Sequence, residues 1–208
     1  RNNLLFSLCG LNCGLCQMKL GGYCPGCGGG DGNQSCQIAK CSMQHNGVEY
    51  CFLCAEYPCE KYQSTEEYDS FITHQRQLKD IERAQAMGIE AYTNEQVRKV
   101  QILQTLLAHY NDGRRKTFYS LAVNLLPLAD IEDIIRQFNQ DISLDSLPLK
   151  EKTEHLTSLF TTCPEGQHVV LKLRKKANKA CLKKGLGCCH VCKRGSGHHI
   201  ENTDVEDL

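Results

Sequence analysis

The chain has 208 residues, with 24 Lys and Arg against 24 Asp and Glu, so its formal charge is zero with His neutral. That balance excludes a polyelectrolyte aimed as a whole at nucleic acid or an anionic membrane, and no stretch approaches the roughly 18 consecutive apolar residues of a membrane span. Fifteen cysteines and no tryptophan direct attention to metal or disulfide staples beside an ordinary core.

Residues 1–60 carry ten of the seventeen glycines and few large aliphatics. Such a segment buries little apolar surface and needs covalent or metal cross-links to fold. Ten of the fifteen cysteines lie between Cys9 and Cys59. Three C-x-x-C pairs, Cys13/Cys16, Cys24/Cys27 and Cys51/Cys54, stand beside a looser pair, Cys36 and Cys41, with Cys9 and Cys59 at the flanks. Two intervening residues allow a tight turn to aim both sulfurs at one ion while its N–H groups face the thiolates. Knuckles, turns and at most short helical pieces are expected here. The odd cysteine count, the repeated C-x-x-C spacing and a first thirty residues without a signal-peptide apolar run favour a reducing compartment, the cytoplasm.

Eight to ten thiolates fill two or more tetrahedral zinc sites. One partition is a cross-brace, with Cys13, Cys16, Cys36 and Cys41 on one ion and Cys24, Cys27, Cys51 and Cys54 on the other. The spacing Cys9-x-x-x-Cys13-x-x-Cys16 also fits the triple that holds a [4Fe–4S] cluster in radical enzymes, with Cys59 available as a fourth ligand. Against it stand the helical patterns that follow, where repeated βα units would be needed.

From residue 64 the apolar spacing becomes helical. Ser64 and Glu67 form a capping box for a helix through Phe71, Leu78 and Ile81 to Met87, with Gly88 as its stop. Thr93 and Gln96 repeat the box before Val97, Val100, Leu103, Leu107 and Tyr110. A third helix is expected from Arg114, with Phe118, Leu121, Ala122 and Leu125 inward, ending before Pro127. A fourth fits Ile131, Ile134, Ile135, Phe138 and Ile142 after Asp130, and a fifth the stretch from Pro148 to Thr161. His168 to Leu173 has the content of one short strand. His45, His74, His109 and His155 read as ordinary surface or core residues.

Two further features carry charge. Asn111-Asp112-Gly113-Arg114-Arg115-Lys116 puts a turn and cations at a helix start, where Arg114 and Arg115 are candidate contacts for a phosphate or carboxylate. Near the C-terminus, Cys181, Cys188, Cys189 and Cys192 stand with His190 among lysines and arginines, as in a further metal knuckle or a nucleic-acid contact. The scarcity of aromatics there and the acidic tail weigh against nucleic acid.

The expected architecture is mainly α, with a cysteine-rich metal-binding segment of little regular structure (1–62) packed on a body of about five helices (63–165), room for one short strand, and a basic Cys/His extension (166–208). Cys9-Gly10-Leu11, Cys13, Cys16, Cys24, Cys27, Cys36, Cys41, and Cys51-x-x-Cys54 leading to Tyr57-Pro58-Cys59-Glu60 resemble a family of cysteine-rich bacterial and archaeal proteins, catalogued as a domain of unknown function and described as zinc-binding. The resemblance implies metal and carries no activity. The expected function is that of a multi-zinc module binding a protein or small ligand. The alternatives are an iron–sulfur protein with redox or radical chemistry, and a zinc-knuckle nucleic-acid binder.

Overall fold

A computed structural model describes residues 1–29, 36–63, 65 and 67–175. Seven α-helices lie among them: α1 Gln17–Leu20, α2 Gln37–Gln44, α3 Gln77–Met87, α4 Ile89–His109, α5 Lys116–Leu125, α6 Leu128–Gln140 and α7 Leu149–Thr162. The last five form the helical body. The two short ones inside the cysteine segment raise the total above the expected five.

Boundaries depart from expectation for local reasons. The predicted first helix starts only at Gln77, because residues 67–76 are spent on turns built around Asp69. Its carboxylate accepts the His74 N–H at 2.8 Å and the Thr73 hydroxyl at 3.4 Å, and Phe71, expected inward, is exposed. Gly88 has φ +86°, a conformation that breaks the helix without the penalty of a Cβ. The next helix begins at once, with the Tyr92 N–H donating to Gly88 O, so Thr93 and Gln96 lie inside α4 and do not cap it. Ile142 is also outside; it falls in a 3-10 turn, Ile142–Leu144, whose Leu144 takes the buried place.

No strand forms at residues 168–173. Glu165–His168 is a 3-10 turn, and Val170 finds its backbone partners in one side chain: Gln75 Nε2 donates to Val170 O at 2.8 Å and Val170 N donates to Gln75 Oε1 at 3.3 Å. With an amide side chain supplying both bonds, a ladder partner is not needed.

Two cores result. The larger gathers Leu103 and Leu106 of α4, Tyr119 and Val123 of α5, Ile131 and Phe138 of α6, and Leu156 and Phe160 of α7, and it receives Leu15 from the Cys13/Cys16 knuckle. The smaller joins Phe6, Cys9, Tyr50 and Tyr62 of the cysteine segment to Ile81, Ala84 and Tyr92 of α3 and α4. The cysteine segment and helices thus share one compact unit, and no described helix is long and apolar enough to cross a membrane.

Arg174 fastens the end of the described chain. Its N–H and guanidinium each donate to the Asp69 carboxylate at 2.8 Å, and Asp69 N donates to Arg174 O at 2.8 Å. Burial pushes the Asp69 carboxyl up, but Arg174 and the His74 N–H outweigh this and hold it below its ordinary range. A depressed carboxyl contributes stability that is present above its unfolded pKa and is lost as pH falls through the folded one. Amide exchange at residues 168–175 is therefore expected to accelerate as pH drops below about 4, relative to the exchange expected of unstructured peptide at the same pH. Asp69→Asn is expected to abolish that dependence.

Candidate metal centre

The first and third C-x-x-C pairs fold alike. In each, the first cysteine opens a 3-10 turn, Cys13–Leu15 and Cys51–Leu53. The N–H of the second cysteine donates to the carbonyl of the first, Cys16 to Cys13 at 3.1 Å and Cys54 to Cys51 at 2.9 Å. The N-terminal residues pin both turns: Gly14 N donates to Leu5 O at 2.8 Å and Cys51 N to Leu8 O at 2.9 Å. The middle pair, Cys24-Pro25-Gly26-Cys27, turns through Gly26 at φ +96°.

The sulfurs gather around two separate cavities. Cys9, Cys13, Cys16, Cys24, Cys27 and Cys36 border one of about 310 Å³. Cys41, Cys51, Cys54 and Cys59 border another of about 30 Å³. This grouping differs from the cross-brace: Cys36, which precedes α2, and Cys41, in its middle, line different cavities. Cys24 and Cys27 likewise line one cavity, and Cys51 and Cys54 the other. Among the described residues no three His, Cys, Asp or Glu side chains already stand in a ligating arrangement, so the geometry gives grouping and not coordination. No disulfide joins the eleven described cysteines.

Burial pushes several thiols up: Cys9 to about 11, with Cys27 and Cys36 adding to the rise, Cys13 to about 12, with Cys9 and Cys27 adding, and Cys51 to about 12, with Cys9 and Cys59 adding. Buried thiolates that crowd one another are unfavourable without a cation. Partners already aim at some of them. Ser7 Oγ lies 3.2 Å from Cys9 Sγ, and Arg1 Nη1 donates to Cys27 Sγ at 3.6 Å. His45, expected to be ordinary, lines the smaller cavity, with Nδ1 3.6 Å from Cys41 Sγ and Nε2 3.2 Å from Glu56 Oε1. The i, i+4 spacing of Cys41 in α2 and His45 at its C-terminal end was the available signal.

Sequence reasoning also missed what holds the larger cavity against the helices. Asn12, between Cys9 and Cys13, is 2% exposed. Its Nδ2 donates to Asp80 Oδ2 at 2.9 Å and Asn124 Oδ1 at 3.0 Å, and its Oδ1 accepts from the Tyr92 hydroxyl at 2.9 Å. One amide thereby ties the knuckle to α3, α4 and α5. Beside it Gln77 Nε2 donates to Cys9 O at 2.8 Å, and buried Lys99 donates to Leu126 O at 2.7 Å. Gly10 completes the fit: at φ +93° a Cβ would stand 2.5 Å from Gln77 O and collide with the Ile81 side chain. Gly10→Ala is accordingly expected to destabilise the chain by about 3 kcal/mol through strain and overpacking, read as a lowered urea midpoint.

Arg114 and Arg115 stand in the turn that leads into α5. Asn111 Oδ1 accepts the Gly113 and Arg115 N–H groups, each at 3.2 Å, Asp112 Oδ1 accepts the Arg114 N–H at 2.9 Å, and the Arg115 guanidinium pairs with Asp112 at 3.6 Å. The turn thus supplies its own acceptors. Cys181, Cys188, Cys189 and Cys192 lie outside the described residues. No family model matches the chain, and no curated protein or solved structure matches it either.

Proposed function

We propose that the chain is a zinc-dependent binding or regulatory module of a reducing, cytoplasmic environment, in which metal holds the Cys9–Cys59 segment against the helical body. The observation that carries this reading is the gathering of ten thiols from separated turns around two cavities, in a segment whose own apolar core is small. Tetrahedral thiolate zinc would supply the missing cross-links, in agreement with the family resemblance. Tyr23, Met43 and Leu53, large side chains on this segment, are exposed and offer apolar contacts to a protein partner or small ligand.

The competing reading places a [4Fe–4S] cluster on Cys9, Cys13 and Cys16. All three border the 310 Å³ cavity, which has room for one, whereas the helices that follow lack the βα units of radical enzymes. The nucleic-acid reading depends on the basic C-terminal segment, outside the described residues. Anaerobic purification with elemental analysis and a visible spectrum separates the first two. Two or more zinc per chain with no absorbance near about 400 nm supports the zinc module; iron with acid-labile sulfide overturns it.

A further inference from the structure

The geometry points to the larger cavity as a binuclear zinc–thiolate cluster, with two ions sharing six cysteines through two bridging sulfurs; this rests on the zinc reading above. The two cavities are unequal. Four cysteines border one of about 30 Å³, as a single tetrahedral ion requires, whereas Cys9, Cys13, Cys16, Cys24, Cys27 and Cys36 border one about ten times larger. One ion uses four thiolates and would leave two without a role in a partly buried, glycine-rich pocket. Two four-coordinate ions need eight metal–sulfur bonds, and six thiolates supply eight when two of them bridge.

Charge favours the same stoichiometry. No carboxylate borders the cavity among the described residues, and its cations are Lys19, which lines it, and Arg1, which reaches Cys27. Six thiolates around one divalent ion leave four negative charges facing those two cations. Around two ions they leave two, facing Lys19 and an Arg1 that also pairs with Glu49 at 3.4 Å, so less uncompensated charge is buried. Loading releases six thiol protons to solvent as eight metal–sulfur bonds form.

The test uses the full chain, with zinc counted per chain by elemental analysis before and after Cys24→Ser combined with Cys36→Ser. A binuclear cluster loses one ion, because four thiols remain. A single-ion cavity keeps its ion on those four, and an unchanged count would overturn the binuclear proposal while leaving the zinc module standing. Cysteines elsewhere, including Cys181 to Cys192, cancel in the difference. Should the double variant fail to fold, cadmium-113 NMR of the unmutated chain decides: two mutually coupled resonances support a thiolate-bridged pair, and uncoupled resonances overturn it. A chain that takes up no zinc overturns the underlying metal reading as well.

Discussion

Stripping metal from the full chain with a chelator is expected to unfold residues 9–59 while leaving α4 to α7 helical. The cysteine segment contributes only Phe6, Cys9, Tyr50 and Tyr62 as buried members of the smaller core. The larger core draws on four helices and takes Leu15 from the segment as a buried member, with Leu20 packed against it. With so few buried side chains of its own, the segment depends, on the zinc reading, on metal–thiolate bonds for its order. Hydrogen exchange should show near-complete loss of protection in residues 9–59 after chelation and retained protection in α4 and α5. Unchanged protection in the segment, with metal shown to be gone, would contradict the account.

The second large effect is expected from Asn12→Ala. The substitution removes three buried hydrogen bonds and leaves the Asp80 carboxylate, the Asn124 amide and the Tyr92 hydroxyl short of a partner. Asp80 is 4% exposed. Burial pushes its carboxyl up to about 6 against the pull of Arg76, Lys99 and Arg83, so the Asn12 donor is not a spare bond. Each orphaned buried group costs about 1–3 kcal/mol, and a loss of about 3 kcal/mol or more is expected in urea unfolding of the metal-loaded chain. Metal content should stay unchanged, since Asn12 positions the knuckle and holds no ion. A loss below about 1 kcal/mol would show that the network is not what joins knuckle to helices.

The helical body was legible because its apolar spacing is regular. Ile131, Ile134 and Phe138 are buried as their period predicts, and Pro127 and Gly88 mark boundaries by backbone chemistry alone. The errors fell where a side chain took over a backbone role: Asp69 organising the turns before α3, and Gln75 standing in for a strand. Neither is visible in an apolar periodicity: Asp69 acts through polar bonds to Thr73 and His74, and Gln75 through a partner about a hundred residues away. The cysteines announced themselves by spacing, but their grouping did not. It follows from how the chain enters α2 between Cys36 and Cys41, and from the N-terminal residues that pin the knuckles. Asn12 was hidden for a related reason: a single polar residue between two cysteines reads as turn chemistry until Asp80, Tyr92 and Asn124 are placed around it.

On the proposed reading, the ten cysteines from Cys9 to Cys59 divide six and four. Stepwise chelation of the full chain, with alkylation of released thiols located by mass spectrometry, tests it directly. Cys41, Cys51, Cys54 and Cys59 are expected to become reactive together, separately from Cys9, Cys13, Cys16, Cys24, Cys27 and Cys36. Release of Cys36 together with Cys41, or of Cys24 and Cys27 together with Cys51 and Cys54, would contradict it.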